Sequence, residues 1–148
     1  MSASSRIEVM HGVNLDQLGR RRPAHYGSFT LAQLERRIEA FAHELGVVVS
    51  LFVTNHEGEF VERLHALDGR ADGIVLNPGA WTHYSYAIRD ALELAALPAV
   101  EVHLSDVDAR EEWRRRSVIT ELCIGRVAGK GSEGYREALE LLREELAR

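Results

Sequence analysis

The chain alternates short apolar runs of β character with longer stretches whose apolar residues recur every three or four positions. Arg6–His11 (RIEVMH) reads as a first strand and ends in Gly12-Val13-Asn14. Thr30 is placed to cap a helix over Leu31–Leu45, where Leu31, Leu34, Ile38, Phe41, Ala42 and Leu45 share a face and Gly46 supplies the stop. The β-branched run Val47–Val53 predicts a second strand ending in Thr54-Asn55-His56-Glu57, and a helix near Gly58–Leu67 presents Phe60, Val61 and Leu64. Gly73–Asn77 (GIVLN) is apolar without alternation through Leu76, as in a central parallel strand covered on both faces. The spacing of Ala87, Ile88, Ala91, Leu92 and Ala95 predicts a helix over Tyr84–Leu97, ended by Pro98, before the strand Ala99–His103 (AVEVH). Asp108–Arg116 reads as a short charged helix and Leu122–Ala128 as a fifth strand. Glu133–Arg148 reads as a closing amphipathic helix with Tyr135, Ala138, Leu139, Leu142 and Leu146 inward.

This alternation predicts an α/β fold with a five-stranded parallel sheet, right-handed crossovers and one domain over residues 1–148. Leu15–Ser28, interrupted by Gly19, Pro23 and Gly27, is too polar for an element; residues 18–28 or so suit a lid. In an open parallel sheet ligands bind beyond the carboxyl ends of the strands. Four successive strands deliver polar residues to that edge: Asn14, then Asn55, His56 and Glu57, then Asn77 and His83, then His103 and Ser105. Arg21, Tyr26 and Arg114 join them from the connecting segments.

Composition narrows the chemistry. At 148 residues, 45% hydrophobic and 28% charged, the chain is an ordinary soluble globular protein. Its net charge of −5 argues against a nucleic-acid binder held by bulk electrostatics. The clusters Arg20-Arg21-Arg22 and Arg114-Arg115-Arg116 run against that balance, and arginines at the edge suit an anionic ligand. Cys123 is the only cysteine, so no intrachain disulfide forms, as expected of a reducing cytoplasm. The N-terminus has no apolar leader core, and no run approaches the roughly 18 apolar residues of a membrane span. There is no GxGxxG, Walker loop or HExxH, so no cofactor is expected. The histidines lack i,i+4 or cysteine partners, so neither is a metal. Lys130, the only lysine, sits in Gly129-Lys130-Gly131, and imine chemistry would have to run through it.

Several motifs together carry a family resemblance. Asn14-Leu15, Leu18-Gly19-x-Arg21-x-Pro23 through Tyr26-Gly27, and Asn55-His56-Glu57-Gly58 are followed by Asn77-Pro78-Gly79-Ala80-x-Thr82-His83 and Arg89-Asp90-Ala91. Glu101-Val102-His103-Leu104-Ser105, Ala109-Arg110-Glu111-Glu112-x-Arg114 and Gly134-Tyr135 complete the series in order over almost the whole chain. This set resembles type II 3-dehydroquinate dehydratase. The resemblance implies a flavodoxin-like three-layer fold, a dodecamer built from trimers, and anti elimination of water from 3-dehydroquinate through an enolate without metal, cofactor or imine. Such a step serves the shikimate pathway or quinate catabolism. It implies that Tyr26 takes the C2 proton with Arg21 favouring its phenolate, and that Asn14 holds a water or the enolate oxygen. His103, oriented by Glu101, would protonate the departing hydroxyl. Asn77, His83, Ser105, the Leu104 backbone and Arg114 would fix the carboxylate and ring hydroxyls, and Asp90 would reach a neighbouring subunit's site.

The chain departs from the family pattern at several points. His11-Gly12-Val13-Asn14 stands where Asn-Gly-Pro-Asn is usual, Asp106 where Asn follows the serine, and Asp108 where His is common; Asp16 and Gln17 also differ. An inward Asp106 would oppose a carboxylate substrate. A relative acting on another cyclic hydroxy-keto acid would keep Tyr26, Arg21 and His103 and change the ring contacts. A non-catalytic small-molecule-binding protein would have no need of the lid pair.

Overall fold

The computed structural model describes residues 4–148. Strands β1 (Arg6–His11), β2 (Val48–Val53), β3 (Gly73–Asn77), β4 (Ala99–His103) and β5 (Gly125–Ala128) form one sheet in the order β2-β1-β3-β4-β5. Every neighbouring pair is parallel. This is the flavodoxin-like order, whose switch point falls between β1 and β3.

Alternation along the strands builds two separate cores. Ile7, Val9, Val75, Val100 and Val102 project to one face and pack with Leu34 and Ile38 of α2 (Leu31–Leu45) and Tyr135, Leu139 and Leu142 of α5 (Glu133–Leu146). Met10, Ile74, Leu76 and Ala99 project to the other, against Phe60 and Leu64 of α3 (Glu57–His65) and Ile88 and Leu92 of α4 (Tyr86–Ala95). The central strands β3 and β4 are buried at every residue, whereas the edge strand β2 leaves Val48 and Val53 exposed. Among the described residues no helix is long and apolar enough to cross a membrane.

The ends of α2 are set locally. Thr30 Oγ1 accepts from the Gln33 amide, the Gln33 side chain accepts from the Thr30 amide, and Gly46 closes the helix in a left-handed conformation. Other boundaries differ from the sequence expectation. The stretch before α4 is a tight 3-10 turn, Gly79–His83, and Ser85 caps α4 by accepting from the Ile88 amide, so the helix starts at Tyr86 and Ala87 faces out. The predicted charged helix Asp108–Arg116 is two short turns, Val107–Ala109 and Glu112–Arg115, because Arg110 between them has extended backbone. The fifth strand starts at Gly125 rather than Leu122, since Thr120–Leu122 forms its own turn. Within the expected lid loop, Leu15–Gln17 forms a 3-10 turn and Pro23–Tyr26 a four-residue helix, α1.

Under the sheet edge lies a buried polar chain. The Tyr135 hydroxyl is 2.8 Å from His11 Nε2 and accepts from Asn77 Nδ2 at 3.3 Å. His11 is wholly buried, and burial lowers its pKa from 6.5 to about 4. The unfolded chain therefore gains a proton at His11 as the pH falls through 6.5, while the folded chain does not until about 4. Stability is full above pH 6.5 and decreases between 6.5 and 4 by on the order of 3 kcal/mol. Urea unfolding at stepped pH should show this component in the wild type and lose it in His11→Asn; equal slopes in both would exclude it.

Candidate active site

The loops after β1 and β3 meet backbone to backbone. The Gly12 amide donates to the Asn77 carbonyl at 2.9 Å, and a Cβ on Gly12 would lie 2.3 Å from the Pro78 carbonyl oxygen. Gly79 has φ +68°, and its Cβ would lie 2.5 Å from the Val13 carbonyl oxygen. Only glycine fits at either position. Their contact seats Leu15, Asn77, Gly79 and Ala80 along one wall of a pocket completed by Arg21, Tyr26, His83, His103, Leu104, Ser105, Val107, Arg110 and Arg114.

Residues 18–28 bring Tyr26 into the lining of this pocket. Pro23 starts α1 where its missing N–H costs nothing, and the turn carries Tyr26 one helical turn back toward Arg21. Tyr26 Oη accepts from Arg21 Nη2 at 2.7 Å and from Arg110 Nη1 at 2.6 Å, and the Arg21 guanidinium carbon lies 3.7 Å from the ring centroid. Arg110 Nη1 also donates to Ser105 Oγ at 3.3 Å. Arg21 lies below its usual pKa, first through burial, against the opposing pull of Tyr26, and further through Arg114 and Arg110. Three guanidiniums thus converge on one pocket.

Also in the lining, His103 Nε2 donates to Glu101 Oε2 at 2.5 Å, which leaves Nδ1 without a partner among the described residues. Glu101 is fully buried, and its Oε1 accepts from Thr120 Oγ1 at 2.5 Å and Ser117 Oγ at 3.1 Å. Burial would raise its pKa, but the hydrogen bonds from His103 and Thr120 and the charges of His103 and Arg126 outweigh that and hold it below the usual carboxylate range. The His83 ring stacks on His103 with centroids 6.2 Å apart and meets the edge of Trp113 at 5.2 Å.

The expected site residues divide into three groups. Arg21, Tyr26, Asn77, His83, His103, Leu104, Ser105 and Arg114 all line the pocket. Glu101 stands behind His103 rather than in the wall. Asn14 and Asp90 are exposed outside the lining; Asn14 has φ +69°, its amide donates to Asn55 Oδ1 at 2.8 Å, and Asp90 lies on α4. Asn55 in turn donates to Asp16 Oδ2 at 2.9 Å, so it braces the β1 loop, while His56 and Glu57 begin α3 away from the pocket. Asn77 is held at both ends of its amide, Oδ1 by the Gly79 amide at 3.2 Å and Nδ2 by Tyr135. Asp106 is exposed and outside the lining, so its carboxylate does not point into the pocket as an inward Asp106 would. Arg110 is the charged lining residue to which the sequence assigned no site role; its signal was its place in the motif Ala109-Arg110-Glu111-Glu112-x-Arg114. No group of three or more His, Cys, Asp or Glu among the described residues is arranged to hold a metal ion.

A family model described as dehydroquinase class II matches residues 5–143. The 3-dehydroquinate dehydratase of Thermotoga neapolitana is 52% identical over 139 residues, covering 94% of this chain and 94% of that one. Among solved structures, the type II dehydroquinase from Propionibacterium acnes superposes with a TM-score of 0.91 at 40% identity, over 97% of this chain and 99% of the other. The type II dehydroquinase from Butyrivibrio crossotus gives 0.90 at 39% identity, over 94% and 97%.

The geometry fixes a tautomer that can be measured. His83 Nδ1 lies 2.6 Å from the Arg116 carbonyl oxygen, which can only accept, so Nδ1 carries the proton and Nε2 is the bare nitrogen of the neutral ring. Burial holds His83 below its usual pKa, partly opposed by that carbonyl, so the ring is neutral at pH 7. Long-range ¹⁵N NMR at pH 7 should show His83 as the Nδ1–H tautomer; an Nε2–H pattern would contradict the hydrogen bond.

Proposed function

The chain belongs to the dehydroquinase class II family, and on that premise we propose that it is a 3-dehydroquinate dehydratase acting as one catalytic domain, with residues 18–28 as the lid. The observation that carries the reading is Tyr26 Oη between two guanidinium donors in the same pocket lining as His103, itself paired with Glu101. An oxygen that accepts two charged N–H donors is suited to bear negative charge. Tyr26 then takes the C2 proton, Arg21 and Arg110 stabilise its oxyanion, and the electrons pass into an enolate. Asn14, beside the β1 loop, holds a water or the enolate oxygen.

His103 completes the step. A carboxylate on Nε2 stabilises the imidazolium and aims Nδ1–H at the substrate. Transfer of that proton to the hydroxyl β to the carbonyl breaks the C–O bond, expels water and leaves a conjugated enone. Arg114 and Ser105 suit the carboxylate, and Asn77, the neutral His83 and the Leu104 backbone suit the ring hydroxyls. Imine chemistry has little geometric support: Lys130 Nζ pairs with Glu137 Oε2 at 2.6 Å, outside the pocket. The lone Cys123 suits a cytoplasmic location. Asp90 shares α4 with the exposed Tyr86 and Leu94, next to exposed Tyr84, which supports a trimer-based dodecamer in which it reaches a neighbour's pocket.

Purified protein should convert 3-dehydroquinate to an ultraviolet-absorbing enone, and activity should survive chelators and borohydride added with substrate. Tyr26→Phe should lower kcat by at least about a thousandfold with KM little changed, near the upper end for removal of a general base. A Tyr26→Phe enzyme of near-normal kcat would sink the assignment. Light scattering should report the mass of a dodecamer; a fully active monomer would overturn the shared-site reading.

A further inference from the structure

Arg126 has entered so far only as a charge beside Glu101, with no part in the reaction. It stands on β5 directly across from Glu101 of β4 in the parallel register. Its Nε is buried, makes no hydrogen bond, and lies 3.6 Å from Glu101 Oε2, the same oxygen that faces His103. Its Nη1 lies 3.5 Å from Asp108 Oδ2, which is exposed. The guanidinium is therefore shared between a buried carboxylate and a solvated one.

We propose that Arg126 is a positioning residue for the reaction: it competes with His103 for Glu101 Oε2 and so makes the imidazolium a readier proton donor, with Asp108 as its counterweight. The inference rests on His103 being the acid of the dehydration. Removing the C2 proton at Tyr26 and delivering one proton from His103 to the leaving hydroxyl releases one water, and the neutral imidazole is left. Any charge that weakens the hold of Glu101 on the imidazolium favours that delivery. Other groups near the pair do not occupy this oxygen. Thr120 and Ser117 are hydrogen-bonded to Oε1. Cys123, its thiol pushed up to about 12 by burial and by Glu101, stays neutral through the working range. His83 stacks on the far face of His103, and Arg114 lies beyond it in the pocket wall.

The test compares pH profiles of kcat and KM on 3-dehydroquinate for wild type, Arg126→Met, Arg126→Lys and Asp108→Asn. A charge at such a distance shifts a neighbour's titration by roughly one to three pH units when unshared. Arg126 is shared and partly solvated, so about half a unit to one unit is expected. In Arg126→Met the alkaline limb of kcat should move up by that amount, with the plateau falling roughly three- to tenfold and KM within about twofold. Arg126→Lys should restore the wild-type limb. Asp108→Asn, which frees the guanidinium for Glu101, should move the limb the other way. Superimposable limbs in Arg126→Met and wild type, or a loss equal at every pH, would overturn the proposal. If Arg126→Met fails to fold, an unshifted limb in Asp108→Asn would overturn it alone. Failure of the wild type to turn over 3-dehydroquinate would instead refute the activity itself.

Discussion

A carboxylate sealed from water inside the sheet is the constraint on which the site depends. Burying Glu101 alone would cost several kcal/mol, and the cost is offset only where each oxygen finds donors. Oε1 recruits Ser117 and Thr120, and Oε2 recruits His103. Those contacts pin residues 117–120 against β4. The pinned segment then presents the Arg116 carbonyl to His83 and takes the Thr82 carbonyl through the Val118 amide at 2.9 Å. The placement of both pocket histidines thus follows from one buried acid. It also explains the late start of β5, because the chain must turn at Thr120–Leu122 before it can join the sheet.

The lining around Tyr26 is assembled by different means. Leu18 anchors residues 18–28 in the core, but beyond it the segment buries little apolar surface, and Tyr26 and the following Phe29 are only partly buried against that core. Polar contacts hold its far end: Arg21 from its own turn and Arg110 from the segment after β4 meet at one phenolic oxygen. Arg110 reaches it from the extended residue that separates two short turns, so the interruption of the expected helix is what delivers the side chain. The proposed acid is thus held by buried contacts and the proposed base by partly buried ones.

Much of this was legible in the sequence, and the division is physical. The limits of β1, β3, β4 and α2 are decided by local pattern and caps, such as the reciprocal Thr30–Gln33 pair and the left-handed Gly46, and there expectation and structure coincide. Between residues 107 and 122 the periodicity is overridden by contacts with Glu101, Tyr26 and His83, residues distant in sequence, and there the expected elements dissolve into short turns. The motifs named most of the pocket lining, but Arg110 was quoted in a motif without a site role and Arg126 stood unnoticed among eighteen Lys and Arg residues. Which arginine turns inward is decided by register and by partners across the fold, neither of which a run of charges displays.

The convergence of Arg21, Arg110 and Arg114 inverts the field of the molecule at its mouth. A chain of net charge −5 carries a pocket whose lining includes no Asp or Glu. An anion approaching it is repelled by the whole and drawn by the part, and it crosses between the two within about a Debye length, roughly 8 Å at physiological salt. The observed arrangement holds like charges together, so any carboxylate in the pocket favours it by linkage. A substrate and product that both keep a carboxylate would feel the same pull. The charges that hasten capture therefore also delay departure, and ionic strength acts on arrival and release with opposite sign.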